Sequence, residues 1–259
     1  MDHDLVVDYL RRLGVEAPVR PDIDTLRDLH RRHLKAVPFE NLSIHLGEPI
    51  VLDEKLLVDK IVRRRRGGFC YELNGAFGTL LSALGFPVTL LASGVFDDGH
   101  VRPPFDHLVL RVDLDRPWLV DVGFGQNARY PLRLDSTDDQ PDPDGVFRVV
   151  PVEDGSGDLD LLCDDEPLYR IETRPRRLID FEPFCWYHQT SPDSPFTGKL
   201  VCSRPTPTGR ITLSDHELTR TENDERTEQT LTDDEALAAY RELFGIELDR
   251  LPSAGSGGS

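Results

Sequence analysis

The chain has 259 residues, 38% of them hydrophobic and 30% charged, a globular composition long enough for one large domain or two to three small ones. Its formal net charge of -17 argues against a nucleic-acid partner and an anionic membrane surface, because both would repel it. Four widely spaced cysteines form neither a disulfide framework nor a zinc pattern, so we expect a reducing, cytoplasmic compartment and no metal.

The first third of the chain has the apolar spacing of amphipathic helices. We place three of them at residues 4–13, at residues 24–36 and immediately after Asp53 as N-cap. His30 and His33 lie in the second helix among arginines, and we expect them to be solvated. Between the second and third helices, Phe39 either lines a pocket or packs between helices.

A fourth helix begins at or near Cys70, directly after the Gly67-Gly68 pair. Its apolar positions recur at i, i+3, i+4 and i+7 from Leu73 onwards, and Gly85 ends it. A thiol in the first turn meets the partial positive charge of the helix N-terminus, which favours the nucleophilic thiolate. The alternative is a small buried hydrophobic residue, the usual role of a free cysteine.

After Phe86 the apolar period changes from helical spacing to alternation, which indicates short strands and predicts an antiparallel barrel or sandwich. The acidic segments 141–147 and 153–166 are predicted to be exposed loops. Residues 181–213 are predicted to be strands and turns. A final helix follows Thr232 as N-cap, with Glu235 completing a capping box.

No functional role is predicted for the terminal segments. The N-terminus is charged from its second residue, so we expect no secretory signal, and no apolar run reaches the length of a membrane span. The glycine- and serine-rich residues 253–259 are predicted to be a flexible tail.

A cysteine nucleophile needs a base and a third group that holds the base in the correct tautomer. His107 opens an apolar strand and is either a satisfied core histidine or a functional one. Asp121 lies in an otherwise apolar strand, where a carboxylate is costly unless it is paired. Two antiparallel strands joined by a turn at residues 115–117 would bring Asp121 beside His107, which completes the order Cys, His, Asp.

Five motifs occur in the order and spacing of the bacterial-type arylamine N-acetyltransferases, which the chain resembles from its first helix to about residue 248. They are RGGFCYE around Cys70, DHLVL at His107, VDVGFG at Asp121, PFENL at residues 38–42 and the downstream QTSPDSPF. The resemblance implies an α+β fold with a papain-like Cys-His-Asp site. Its implied parts are an N-terminal helical bundle (1–86), a central antiparallel β-barrel (87–190) and a C-terminal α/β lid (191–252).

The resemblance also implies roles for individual residues. The implied catalytic triad is Cys70, His107 and Asp121. The implied acceptor pocket is lined by Phe39, Val95, Phe124 and Phe196. The residues implied to lie near coenzyme A are Gly125 and Ser194, while Asp193 and Pro195 depart from the small hydroxyl residues that are frequent there. The residues implied to brace the site are Arg66, Glu40 and Asn41, although Arg66 by itself would be a solvated helix end.

The implied reaction is ping-pong acetyl transfer. Cys70 takes the acetyl group from acetyl-CoA, and an arylamine, arylhydrazine or N-hydroxyarylamine then removes it. Acetyl-CoA is the acyl-donor substrate in this interpretation, and no prosthetic group is expected. The alternatives are an amide synthase of polyketide biosynthesis, which shares the fold and triad, and more distantly a cysteine hydrolase or transglutaminase-like enzyme.

Overall fold

The computed structural model describes residues 1–126, 128–223 and 225–252, so the predicted tail at 253–259 lies outside the described residues. The described ranges contain eight α-helices. They are α1 (His3–Arg12), α2 (Ile23–Ala36), α3 (Leu42–Leu46), α4 (Glu54–Val62), α5 (Cys70–Ala83), α6 (Glu182–Thr190), α7 (Pro195–Gly198) and α8 (Asp233–Phe244). A 3-10 turn, Leu178–Phe181, leads into α6.

The same ranges contain fourteen strands. They are β1 (Phe39–Glu40), β2 (Val88–Asp97), β3 (His100–Val101), β4 (His107–Asp113), β5 (Pro117–Val120), β6 (Leu132–Arg133), β7 (Gln140–Asp142), β8 (Gly145–Pro151), β9 (Leu159–Cys163), β10 (Glu166–Arg176), β11 (Cys202–Thr206), β12 (Gly209–Ser214), β13 (Glu217–Glu222) and β14 (Glu225–Thr230). They form two antiparallel sheets.

The larger sheet has the order β6-β5-β4-β2-β10-β9-β8-β7, with the short β3 beside β2. Its two edges meet at Gln140, whose side chain accepts a hydrogen bond from Arg133 N (2.6 Å) and donates one to Arg133 O (3.1 Å). The sheet is therefore a nearly closed antiparallel barrel. Buried Phe147, Leu161 and Tyr169 belong to the core inside it. The mixed helix and sheet class and the antiparallel barrel are thus confirmed.

The smaller sheet has the order β1-β11-β12-β13-β14, so a strand from the N-terminal part of the chain forms its edge. Phe39 pairs with Ser203, and Glu40 pairs with Cys202. Helix α8 packs on this sheet through the fully buried Tyr240. The domain boundaries at residues 86 and 190 stay predictions.

Helix α5 lies at the centre of the largest hydrophobic cluster and is buried at nearly every position. It begins at Cys70, as its apolar spacing and the preceding glycines predicted. The side chain of Glu72 accepts a hydrogen bond from Phe69 N (3.3 Å), one of the donors that a helix N-terminus leaves without a partner. Lys60 neutralises the same buried carboxylate at 2.6 Å.

The prediction of strands and turns for residues 181–213 is wrong at its start, where α6 and α7 form. Cys185 and His188 lie three residues apart and share the buried face of α6. The predicted exposed loops are also partly wrong, because residues 141–147 contribute to the β7–β8 hairpin and β9 lies within 153–166. Leu161 is buried in the barrel, but the acidic residues around it hid the alternation of apolar and polar positions that is typical of a strand.

The expected solvation of His30 and His33 is wrong as well, since their exposed fractions are 1% and 0%. Each follows a buried leucine by four residues, Leu26 and Leu29 respectively, and therefore lies on the buried face of α2. His33 Nε2 is hydrogen-bonded to Tyr9 Oη at 2.9 Å.

The two glycines before Cys70 are required by a close backbone approach. A Cβ atom on Gly67 would lie 1.9 Å from the carbonyl oxygen of Pro38, and one on Gly68 would lie 2.6 Å from Glu72 Oε2. The loop is held there because Glu40 N donates to Gly68 O at 2.9 Å. A side chain at Gly67 would push the loop away from Pro38 and β1, and one at Gly68 would displace the Glu72 side chain that caps α5.

We expect Gly67→Ala to lower the free energy of unfolding by about 2–3 kcal/mol, because backbone rather than a flexible side chain opposes the added methyl group. Gly198→Ala is the matched control, since its added methyl group has no neighbour within 4 Å. Urea unfolding of the two variants measures the difference. Equal stability would show that the Pro38 carbonyl can move aside at little cost.

Candidate active site

Cys70 is the first residue of α5 and only 3% exposed. Burial raises the pKa of its thiol well above the ordinary value; the Leu108 backbone opposes this, and the charges of Asp106 and Asp121 add to it. The partial positive charge of the helix N-terminus was predicted to favour the thiolate. Burial and two carboxylates favour the neutral thiol instead. Ionisation of this thiol needs a nearby proton acceptor.

His107 and Asp121 lie side by side, as the predicted pairing of their strands requires. β4 and β5 pair antiparallel with Leu110 opposite Val120, so Asp121 follows directly after β5. The His107 Nε2 to Asp121 Oδ2 distance is 2.9 Å, and both side chains are almost fully buried.

The carboxylate of Asp121 is surrounded by hydrogen-bond donors. Besides His107, it accepts bonds from Asn74 Nδ2 (2.8 Å), Tyr169 Oη (3.0 Å) and Gly123 N (2.9 Å). Burial alone would raise the pKa of Asp121, but the charge and hydrogen bond of His107, with the bonds from Asn74 and Gly123, lower it to about 2. Asp121 is therefore ionised at neutral pH.

Asn74 connects the cysteine helix to the histidine and aspartate strands, and it was not predicted from the sequence. It lies one turn beyond Cys70, donates to Leu108 O (2.7 Å) as well as Asp121, and accepts from Val122 N (2.9 Å). Its position four residues after Cys70 on one helix face was the signal that could have revealed it.

His30 and Tyr169 are further contacts that the sequence did not reveal. His30 Nδ1 lies 2.9 Å from Arg129 O, which places the ring hydrogen on Nδ1 and leaves Nε2 to accept from Asp121 N at 3.4 Å. Burial lowers the pKa of His30, which keeps this ring neutral. Tyr169 lies three strands of the barrel away from Asp121, so no local motif connects them.

A cavity of about 310 Å³ opens beside Cys70 and His107. All four predicted pocket residues line it, namely Phe39, Val95, Phe124 and Phe196. The ring of Phe124 meets the His107 ring edge-on, with centroids 5.1 Å apart. The size and aromatic walls suit a small aromatic ligand.

The two residues predicted to lie near coenzyme A contribute differently. Gly125 has φ of +87°, and a Cβ there would lie 3.6 Å from the Phe39 ring. Ser194 is 2% exposed, and its hydroxyl lies within hydrogen-bond distance of His188 Nδ1 (3.1 Å) and accepts from Phe196 N (3.2 Å). Neither is among the residues that line the cavity, whereas Pro195 is.

The predicted bracing residues form a buried network behind the cavity. Arg66 binds Glu40 through two nitrogens, at 3.0 and 3.2 Å, and binds Glu48 at 3.2 Å. Burial would raise the pKa of Glu40, but the charges of Lys60 and Arg66 lower it below its ordinary value. Arg66 is therefore not a solvated helix end.

Asn41 ties this network to the Phe196 wall of the cavity. Its Nδ2 donates to Phe196 O (2.9 Å) and Lys199 O (2.7 Å), and its Oδ1 accepts from Val201 N (2.8 Å).

Within the described residues, no cluster of His, Cys, Asp and Glu side chains could hold a metal ion. The helices of that part of the chain include none long and apolar enough to cross a membrane.

Comparisons with known proteins agree with this architecture. The model of a family described as N-acetyltransferase matches residues 22–252. The pineal gland isozyme NAT-3 of arylamine N-acetyltransferase from Gallus gallus is 37% identical, over 89% of this chain and 90% of that protein. The structure of M. smegmatis arylamine N-acetyltransferase superposes with a TM-score of 0.86 at 35% identity, over 96% of this chain and 93% of that one.

The Mycobacterium marinum arylamine N-acetyltransferase in complex with CoA has a TM-score of 0.83 at 33% identity, covering 93% of this chain and 92% of that chain. These matches define an acyltransferase. The chain belongs to the arylamine N-acetyltransferase family.

We expect the Asp121 carboxylate to make stability depend on acid pH. Because its folded-state pKa of about 2 lies below the ordinary 3.8, its contribution is complete above the unfolded value and is lost as pH falls through the folded one. The free energy of unfolding should fall by about 2 kcal/mol more in the parent than in Asp121→Asn as the pH is lowered from about 5 to about 2.

Chemical denaturation across that pH range measures this difference. Asp193→Asn removes an exposed carboxylate and should keep the acid dependence of the parent. The same dependence in Asp121→Asn would contradict the role of this group.

Proposed function

We propose that the protein transfers an acetyl group from acetyl-CoA to an aromatic amine through an acetyl-Cys70 intermediate. The observation that carries the proposal is the His107–Asp121 pair, 2.9 Å apart, in a cavity lined by Cys70, His107 and aromatic rings. The CoA complex of the M. marinum relative supports coenzyme A as the carrier of the acetyl group.

In the first half-reaction His107 takes the proton of the Cys70 thiol. Asp121 holds the tautomer with its hydrogen on Nε2, so Nδ1 is the basic nitrogen, and the carboxylate stabilises the imidazolium that forms. The thiolate attacks the thioester carbonyl, and backbone N–H groups at the start of α5, including that of Cys70, meet the developing oxyanion. The carbon–sulfur bond to coenzyme A then breaks, and His107 returns its proton to the leaving thiolate.

In the second half-reaction the amine nitrogen attacks the acetyl-cysteine carbonyl. An arylamine has a low pKa and is neutral at pH 7, so its lone pair is free. His107 takes the N–H proton, the bond to Cys70 breaks, and the thiolate–imidazolium pair is restored. The rings of Phe39, Phe124 and Phe196 suit arylamines, arylhydrazines and N-hydroxyarylamines.

The remaining residues support these steps from behind the cavity. Arg66 and Glu40 fix the loop before Cys70, Asn41 holds the Phe196 carbonyl, and Ser194 shapes the segment that carries Phe196. Gly125 and Ser194 lie toward coenzyme A in this proposal.

Neither nucleic acid nor a membrane is a proposed partner, and the cytoplasm stays the predicted compartment, consistent with four free cysteines.

The two alternative functions are not favoured. The amide synthase and the cysteine hydrolase share the proposed triad, but the matching family is described as N-acetyltransferase and the similar proteins named above are arylamine N-acetyltransferases.

We expect the protein, mixed briefly with acetyl-CoA and no amine, to gain one acetyl group, which an added aromatic hydrazine removes. Intact mass spectrometry with peptide mapping checks both steps and locates the group on Cys70. Cys70→Ala should gain no acetyl group while keeping its fold. Cys163→Ala, which removes a partly exposed free thiol, should behave as the parent. Absence of the adduct in the parent would reject acetyl-CoA as donor.

A further inference from the structure

A second histidine–carboxylate pair lines the same cavity as Cys70. Asp106, directly before His107, is 6% exposed, and its Oδ1 lies 3.2 Å from His188 Nε2. Its Oδ2 lies 3.1 Å from Arg102 Nε. The proposed triad uses none of these three residues.

The backbone that carries Asp106 is held in an uncommon conformation. Phe105 has φ of +74°, a region that non-glycine residues rarely occupy without support from their surroundings. Tyr71, in the first turn of α5, supplies that support by donating to Phe105 O (2.6 Å) and lying 3.1 Å from Asp106 O. The carboxylate is therefore fixed relative to the helix that begins with Cys70.

The Asp106 side chain is among those that line the cavity. Its Oδ1 is buried against His188 Nε2, which lies 3.2 Å away, and its Oδ2 lies 3.1 Å from Arg102 Nε. Burial would raise the pKa of Asp106, but the hydrogen-bonding and charge influences of His188 and Arg102 lower it below its ordinary value. An ionised carboxylate thus belongs to the lining of the cavity.

This charge affects the two half-reactions in opposite directions. Asp106 is one of the groups that raise the pKa of the Cys70 thiol, so it disfavours the thiolate needed in the first half-reaction. In the second, the attacking nitrogen gains positive charge as its lone pair forms the new bond. A carboxylate in the same cavity stabilises that charge.

We propose that Asp106, oriented by His188 and Arg102, binds an N–H group of the acceptor amine and stabilises the positive charge that develops on its nitrogen. The inference rests on the proposed function, and it names nitrogen acceptors with at least two N–H bonds as the preferred class. One N–H proton goes to His107 as the nitrogen–carbon bond forms and the Cys70–carbon bond breaks. The other N–H remains hydrogen-bonded to Asp106, which stays ionised throughout.

An anionic nucleophile distinguishes this role from a structural one. A thiolate gains no positive charge when it attacks the acetyl-cysteine, and Asp106 repels it. Removal of the Asp106 charge should therefore slow attack by an amine and leave attack by a thiolate unchanged or faster.

The experiment compares the parent, Asp106→Asn and Asp98→Asn. Asp98 is an exposed carboxylate in the turn after β2, and its replacement removes the same charge away from the cavity. Each protein is acetylated with p-nitrophenyl acetate, which needs no coenzyme A site. Loss of the acetyl group is followed by mass after addition of phenylhydrazine or thiophenolate.

We expect Asp106→Asn to lose the acetyl group about tenfold more slowly with phenylhydrazine and no more slowly with thiophenolate, while Asp98→Asn matches the parent. The pH profile of Cys70 alkylation by iodoacetamide should also move to lower pH in Asp106→Asn. Equal slowing with both nucleophiles, or no slowing with phenylhydrazine, would overturn the proposal.

The same experiment tests the role of Asp106 independently of the proposal that acetyl-CoA is the acetyl donor. A parent that accepts acetyl from p-nitrophenyl acetate but not from acetyl-CoA would reject the donor, and the two nucleophiles would still decide the role of Asp106. A parent that accepts acetyl from neither would overturn both.

Discussion

The buried carboxylate of Asp121 is the group on which the geometry of the site depends. Its hydrogen-bond donors come from α5, β4, β10 and its own loop, through Asn74, His107, Tyr169 and Gly123. An ionised carboxylate is costly to bury unless such donors surround it, so the charge is tolerated only when these elements are packed in register. The contacts that orient His107 are therefore also the contacts that join the cysteine helix to the barrel.

A second buried charge, the pair of Glu40 and Arg66, extends this constraint to the other wall of the cavity. Glu40 accepts from Gly67 N at 3.2 Å and belongs to β1, which is the edge of the smaller sheet. The next residue, Asn41, binds the carbonyl of Phe196 at 2.9 Å. Residues far apart in the chain thus reach Cys70 through one short strand, because β1 contacts both the glycine loop and the C-terminal sheet.

Local sequence patterns predicted a feature correctly where a residue's neighbours in the sequence are also its neighbours in space. The start of α5, the capping box of α8 and the pairing of His107 with Asp121 are of this kind, since two consecutive strands carry the latter pair. The contacts of Asn74, Tyr169 and His188 were not predicted, because their partners come from distant elements. Long-range packing decides these contacts, and a buried histidine cannot be told from a solvated one until its helix has been oriented.

In the proposed mechanism, the charges around Cys70 serve two reactions with opposite demands. Formation of the thiolate benefits from cations, whereas attack by an amine benefits from an anion. Placing Asp106 between Arg102 and His188 moderates this conflict, because the Arg102 charge offsets part of the repulsion that the carboxylate exerts on a thiolate. A full negative charge without them would suppress ionisation of a thiol whose pKa burial already raises. A neutral residue at position 106 would leave the positive charge that develops on the amine nitrogen without a counter-charge in an aromatic cavity. The group of Asp106, Arg102 and His188 is a compromise between an uncompensated carboxylate and no carboxylate.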